Sequence, residues 1–277
     1  MGVDKLYLDG PSEVVEGRDS EPILQKALDF VSRRLQALFP NQMTVMGHAI
    51  HPLDMFDVNT CTRAEYYTEQ NRGDEYGLMP MLQQGTLRMP VQVNATMLAH
   101  QALSTDQVRI VLVGHSRGGL VATVLAHMLS PIVRVYFLGL YDAVGREPCL
   151  DGSTIDNVKI VFHARRSPDV GSRGTFGNTA TMHRVEHYEE SFFYTSHGGI
   201  GGDFVADPKA VGFFGDSSCT MRPDTRVINT KGGPVTVDNR APLTRRFGKP
   251  IEQICAEGRD EADAFIRNGA RRFGLPV

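Results

Sequence analysis

Ser116 lies in the run Gly114-His115-Ser116-Arg117-Gly118. A serine hydroxyl attacks carbonyl carbon only when a base takes its proton, and the base needs an acid to hold its ring. The G-x-S-x-G spacing suits that use where a buried strand precedes it and a helix follows. Val108 to Val113 is an apolar strand candidate, and Leu120 to Leu129 is a strongly apolar helix candidate. Gly114 and Gly118 are expected to form the tight turn, where a side chain at either position would meet backbone. The serine would then sit in a strained conformation that lifts its hydroxyl off the sheet. The following helix would aim free N–H groups at a developing oxyanion. The Arg117 N–H is the expected first donor, and the Gly10 N–H, after the first strand, the second. The plainer alternative is that both glycines only make a turn and Ser116 caps the helix.

The partners are sought among nine histidines. In G-x-S-x-G hydrolases the chain order is Ser, acid, His. His163 comes before one acid candidate and is too early. His183 and His187, four apart, could share a helix face as metal ligands, but no third ligand is evident. His197 stands in Ser196-His197-Gly198-Gly199-Ile200-Gly201-Gly202-Asp203, after a short aromatic strand, where a mobile glycine-rich loop would carry the base. The alternative is a histidine that caps a glycine turn. Two acids compete. Asp142 ends the strand candidate 133–140, and Asp169 follows the strand candidate 158–162; each sits at the C-terminal edge of a strand, where sites of open parallel sheets form. Asp142 is preferred and Asp169 is the alternative acid.

The elements that must hold these residues alternate. Leu6-Tyr7-Leu8 reads as a short strand stopped by Asp9-Gly10-Pro11. Ile23, Leu24, Ala27, Leu28, Val31, Leu35 and Leu38 recur at helical spacing, with Asp19 or Ser20 as cap and Pro22 in the first turn. Residues 43–50 read as a strand and 91–103 as a helix. Residues 133–140, 158–162 and 192–195 read as further strands. Apolar runs such as Val111-Leu112-Val113 and Tyr136-Phe137-Leu138 suit strands buried on both faces. Residues 204–250 read as loops with a hairpin, and 262–273 as a closing helix. This alternation predicts an α/β protein: a mostly parallel central sheet with helices on both faces, of the α/β-hydrolase kind, in a single domain over 1–277. Residues 52–90 would form a lid or insertion, with Met79, Met81, Leu82 and Met89 either as an apolar surface over the site or as a satellite core packed under a loop. Residues 204–255 would form a loop-rich insertion.

Composition narrows the classes. The chain has 277 residues, 41% hydrophobic and 22% charged, which suits a globular domain. A formal net charge of −3 offers no general attraction to nucleic acid. Cys61, Cys149, Cys219 and Cys255 contain no C-x-x-C pair, so a zinc ribbon is unsupported; their even number permits disulfides without requiring them. The start lacks a basic region followed by an apolar run, and no apolar stretch reaches the length of a membrane span. The expectation is a chain made in the cytoplasm, with any export running without a classical signal peptide. No metal or organic cofactor is expected.

Four blocks carry a resemblance: Gly114-His115-Ser116-Arg117-Gly118-Gly119, Tyr141-Asp142-Ala143-Val144-Gly145, His163-Ala164-Arg165, and Phe193 through Gly202 with His197 at its centre. In this order they resemble the G-F-S-R-G, W-D-T-V-G, H-A and H-S-D-V-G-G blocks of a bacterial and fungal hydrolase family that contains phospholipase-type effectors delivered by type VI secretion. Tyr7-Leu8-Asp9-Gly10 resembles its opening strand, and Ala262, Ala270, Gly274 and Leu275 its closing helix. The chain departs from the pattern at His115, Tyr141, Ala143 and Gly199. The resemblance implies a serine hydrolase of carboxylic esters, with lipids as the substrate class, acting through Ser116, His197 and an aspartate, with transient contact to a membrane surface. The competing expectations are an inactive hydrolase-fold binding protein, and an acyltransferase or peptidase on the same residues.

Overall fold

The computed structural model describes residues 4–9, 20–41, 103–130, 132–145, 154–167, 170, 179–180, 182–202, 227–230, 233–236 and 240–277. Within them the chain forms a broadly α/β protein around a parallel sheet. Helix α1 is Ser20–Leu38. Strand β1, Ile110–His115, leads into helix α2, Arg117–Met128. Then come β2, Val135–Tyr141, and the short β3, Thr154–Ile155. They are followed by β4, Val158–Arg166, the short β5, Met182–His183, and β6, His187–Phe193. Helix α3 is a single turn, His197–Ile200. Strands β7, Val227–Thr230, and β8, Gly233–Thr236, form an antiparallel hairpin, and helices α4, Arg240–Phe247, and α5, Ile251–Arg272, complete the order.

The main sheet runs β1-β2-β4-β6, and every neighbouring pair is parallel. All four C-terminal ends therefore meet along one edge. Successive strand residues face opposite sides, and the two sides hold separate cores. On one, Val135, Leu138, Leu140 and Val161 pack with α2 and with Leu24, Leu28 and Leu35 of α1. Helix α2 is buried without a break from Gly119 to Met128, as a helix enclosed on all sides must be. On the other side Phe137, Ile160, Phe162 and Ala164 pack with Ala262, Ile266 and Ala270 of α5. Phe162 is fully buried, and burial of such a side chain stabilises the fold by about 1.5–3 kcal/mol. Its ring fits because position 269 is glycine, where a Cβ would lie 2.6 Å from the ring.

Several expectations change. Leu6-Tyr7-Leu8 is not a strand: it pairs with no strand among the described residues, and Tyr7 is 88% exposed. Leu103, expected to end a helix, instead makes a parallel bridge to Val133; the rest of 91–103 lies outside the described residues, as do 43–50 and the lid segment 52–90. Strand β1 is not buried on both faces, because Val111 and Val113 are 40% and 58% exposed. They face the side of α5, which packs on β2, β4 and β6. The loop-rich insertion ends earlier than expected, since α4 lies inside it and the closing helix begins at Ile251. The hairpin falls within it as anticipated. Cys255 is a buried free thiol, and the other cysteines lie outside the described residues.

Candidate active site

The four parallel strand ends each contribute one residue to a single cluster: Ser116 after β1, Asp142 after β2, Arg166 at the end of β4, and His197 beyond β6. The last has farthest to travel. Strands are spaced about 4.8 Å apart, so β6 lies roughly 14 Å from β1, and the turn after β6 must fold back across the sheet edge.

Ser116 occupies the N-cap position of α2 with φ 57° and ψ −130°, a left-handed conformation that non-glycine residues rarely adopt. Its side chain makes no capping hydrogen bond to the helix. Oγ instead lies 2.8 Å from His197 Nε2, and His197 Nδ1 lies 2.7 Å from Asp142 Oδ2. With Nδ1 facing a carboxylate, the ring carries its proton there and presents Nε2 to the serine hydroxyl as acceptor.

The backbone around Asp142 is clamped to Ser116. Ser116 N–H donates to Tyr141 O at 3.0 Å, and Val144 N–H donates to Ser116 O at 3.1 Å. Asp142 itself has φ 44°. Its N–H donates to Ala164 O at 2.7 Å, and the Ala143 N–H donates to His163 Nε2 at 3.3 Å. Three consecutive N–H groups are thus engaged, two by β4 and one by Ser116, which offsets the strain of the left-handed residue. His163, too early in the chain to be the base, is a fully buried support for this loop. Burial and the nearby Arg165 push its imidazole well below the usual range, so it remains neutral.

Arg166 places Nη1 3.1 Å from the same Asp142 Oδ2, and its N–H lies 3.4 Å from Oδ1. Burial pushes the Asp142 carboxyl up, but the Arg166 guanidinium and the bond from His197 outweigh it and hold it well below the usual carboxylate range. Asp142 therefore stays ionised.

His197 is not on an irregular glycine loop. It opens the helical turn α3, with Ser196 as a regular N-cap whose Oγ accepts from Gly199 N at 2.9 Å. The His197 side chain is only 8% exposed. Beneath the turn, Cys255 Sγ of α5 lies 3.1 Å from Thr195 Oγ1 and accepts from Ser196 N–H at 3.4 Å. Gly258 lets α5 approach closely, since a Cβ there would lie 2.5 Å from Tyr194 O.

The two elbow glycines differ. A Cβ on Gly114 would lie 2.3 Å from Gly118 O, but a Cβ on Gly118 would meet nothing within 4 Å. The steric reason expected for both holds only for Gly114. Gly119 has the need expected of Gly118, with an added Cβ 2.6 Å from Ala143 Cβ. Arg117 opens α2 directly after Ser116, so its N–H is at the helix N-terminus. Gly10, the expected second oxyanion donor, and Asp169, the alternative acid, lie outside the described residues. His183 and His187 fall on two different strands rather than one helix, which removes the spacing a metal pair would use. His183 stacks on Tyr188 at 3.9 Å, and His187 lies 3.0 Å from Glu189.

Two contributors escaped the sequence reading. Arg166 could have been suspected as a cation ending the strand beside Asp142. His115 was seen only as a variable position of the motif. Among the described residues no group of three metal-ligating side chains comes together, and no helix is long and apolar enough to cross a membrane. Comparison with known protein families, characterised proteins and solved structures finds no match to this chain.

Proposed function

We propose that the protein is a serine hydrolase of the α/β-hydrolase kind that cleaves carboxylic esters through an acyl-enzyme. The observation that carries the reading is the direction of the Ser116 hydroxyl. A serine at an N-cap ordinarily bonds its own helix. This one turns to His197 Nε2, and His197 turns to Asp142.

In this mechanism Ser116 Oγ attacks the ester carbonyl while His197 Nε2 takes its proton. The imidazolium, stabilised by ionised Asp142, returns that proton to the departing alcohol. Water, deprotonated by His197, then attacks the acyl-serine; as the acid leaves, the imidazolium returns the proton to Ser116 Oγ. The Arg117 N–H at the start of α2 is one donor to the tetrahedral oxyanion, with Gly10 proposed as the other.

Lipid esters are the proposed substrate class. This rests on the four sequence blocks and on the Met- and Leu-rich segment 76–90, which lies outside the described residues. The phospholipase-containing family is proposed on the same blocks.

The test is kinetic. Wild type and Ser116→Ala are assayed on p-nitrophenyl esters of rising chain length and on phospholipid, with labelling by a fluorophosphonate probe beside them. The expected result is labelling of the wild type alone and loss of about 10⁴-fold or more in turnover by the variant. A folded Ser116→Ala protein that hydrolyses esters at the wild-type rate overturns the mechanism. A wild type that neither labels nor turns over points to a binding protein.

A further inference from the structure

His115 precedes the serine on β1, and its side chain meets the turn that carries the base. Its Nε2 donates to the backbone carbonyl of His197 at 2.9 Å. Its ring lies against the His197 ring, with centroids 4.8 Å apart at 36°. The far end of the same turn is shaped around it: a Cβ on Gly201 would fall 2.4 Å from His115 Cε1 and 2.5 Å from Nδ1. One side chain thus touches the first residue of α3 and the residue that ends it.

The need for such a contact follows from the topology. The turn after β6 crosses the ends of two strands to reach Ser116, and it is anchored from below by Thr195, Ser196 and Cys255 on the α5 side. Those anchors hold its base. At its Ser116 end His197 meets the Ser116 hydroxyl and Asp142 through its ring, and His115 through its backbone carbonyl.

We propose that His115 is a positioning residue for the Ser116–His197 pair, docking the returning turn onto β1 through its Nε2–H and through the ring-shaped space left by Gly201. The proposal rests on the hydrolase reading above. Burial and the adjacent His197 hold the His115 imidazole down at about 4, so the ring stays neutral at ordinary pH and adds no charge beside His197. A displacement of about 1 Å between nucleophile and base lowers turnover by about 10²-fold, which sets the size of the effect.

The experiment is a double-mutant cycle of His115→Ala and Gly201→Ala, with His115→Gln as the conservative variant that keeps an N–H donor. It is read as kcat and KM on a short-chain p-nitrophenyl ester, with thermal unfolding alongside. His115→Ala is expected to lower kcat by about 10²-fold with KM unchanged, and His115→Gln to recover part of the loss. Gly201→Ala is expected to lower kcat in the wild-type background, where its methyl group drives the imidazole aside. In the His115→Ala background the same substitution should have no further effect. Wild-type kcat in His115→Ala, or equal damage from Gly201→Ala in both backgrounds, overturns the proposal.

Proton NMR of the His197 Nδ1–H separates this failure from that of the hydrolase reading. A strongly hydrogen-bonded imidazole N–H resonates far downfield whether or not the protein turns over ester. If the wild type shows no esterase activity, the hydrolase reading falls. The docking role is then supported if the resonance is lost in His115→Ala, and is overturned if it is unchanged there.

Discussion

The turn that carries Ser116 and the turn that carries His197 do the same job by opposite means. The first is set by backbone. Ser116 has φ 57°, its neighbour Gly114 admits no Cβ, and backbone bonds to Tyr141 and Val144 lock it to the next strand. The second is relaxed backbone held by side chains. Ser196 is a regular extended N-cap at φ −69°, and the contacts that seat the turn come from Cys255, Thr195 and His115. Asp142 combines the two, with a left-handed backbone at φ 44° and a carboxylate held by Arg166 and His197. Backbone geometry fails abruptly when disturbed, because neighbouring peptide groups cannot move aside. Side-chain seating should degrade by degrees.

The largest expected effect tests the residue that belongs to both. Asp142→Asn should leave the fold in place but lower ester turnover by about 10⁴-fold, since an amide can hold the wrong tautomer of His197. Circular dichroism and kcat on one ester check this together. A smaller loss than that of Asp169→Asn would transfer the acid role to Asp169.

Next comes the contrast within the elbow. Gly114→Ala puts a methyl carbon into backbone at 2.3 Å and should destabilise the protein by about 3 kcal/mol or more. Gly118→Ala, in a helix with open space around it, should be neutral or stabilising by up to about 1 kcal/mol. Urea titrations of both variants decide it. Equal destabilisation would mean that the elbow is not held by backbone contact at Gly114.

The pattern of what could be read from the chain follows the same division. Gly114, Ser116 and the flanking apolar runs announced the first turn because backbone-controlled geometry restricts residue type locally. The sheet was legible for the same reason, through the apolar runs 133–140 and 158–162, though β4 extends to Arg166 and β6 begins at His187, ahead of the expected 192–195. Asp142 was distinguishable as a strand-ending acid. His197 could be picked by chain order, but its setting was misread, because its glycines suggest a loose loop whereas Ser196 caps a helical turn. Arg166 and His115 were missed altogether. Their roles depend on which strand ends become neighbours, and residue spacing does not reveal that before the fold is known. Gly118 shows the converse error, a motif position credited with a steric need that the turn does not impose.

A third prediction concerns pH and the side-chain-held turn. His115 is held down to about 4 against 6.5 for a free imidazole, so the unfolded chain binds more protons than the fold between those values. Stability from this group is complete above about 6.5 and falls as pH drops towards 4, by about 3 kcal/mol at most. Asp142 acts in a separate window: its carboxyl is depressed, so its contribution is complete above the ordinary carboxylate value and is lost only below it. Chemical denaturation of wild type and His115→Phe across pH 4–7 should show a flatter profile in the variant. Parallel profiles would remove His115 from the account.

The smallest expected effect is at the cap of the same turn. Ser196→Ala removes the acceptor for Gly199 N–H and should reduce stability by about 1 kcal/mol. A drop in kcat without a matching rise in KM would show that the turn's seat, not substrate binding, has loosened. A collapse as severe as that of Gly114→Ala would erase the contrast between the two turns.

Arg166 gives the cluster an unusual charge balance. With its guanidinium against Asp142, the two described ionic groups sum to zero before any reaction, rather than to the minus one of a carboxylate alone. In the proposed mechanism, the positive charge that forms when His197 takes the serine proton arises beside the neutral Asp142–Arg166 pair. On the same proposal, an approaching anionic ester would meet no net repulsion from this pair. Ionic strength should accordingly act weakly on turnover of neutral esters, because screening has little standing charge at the centre to attenuate.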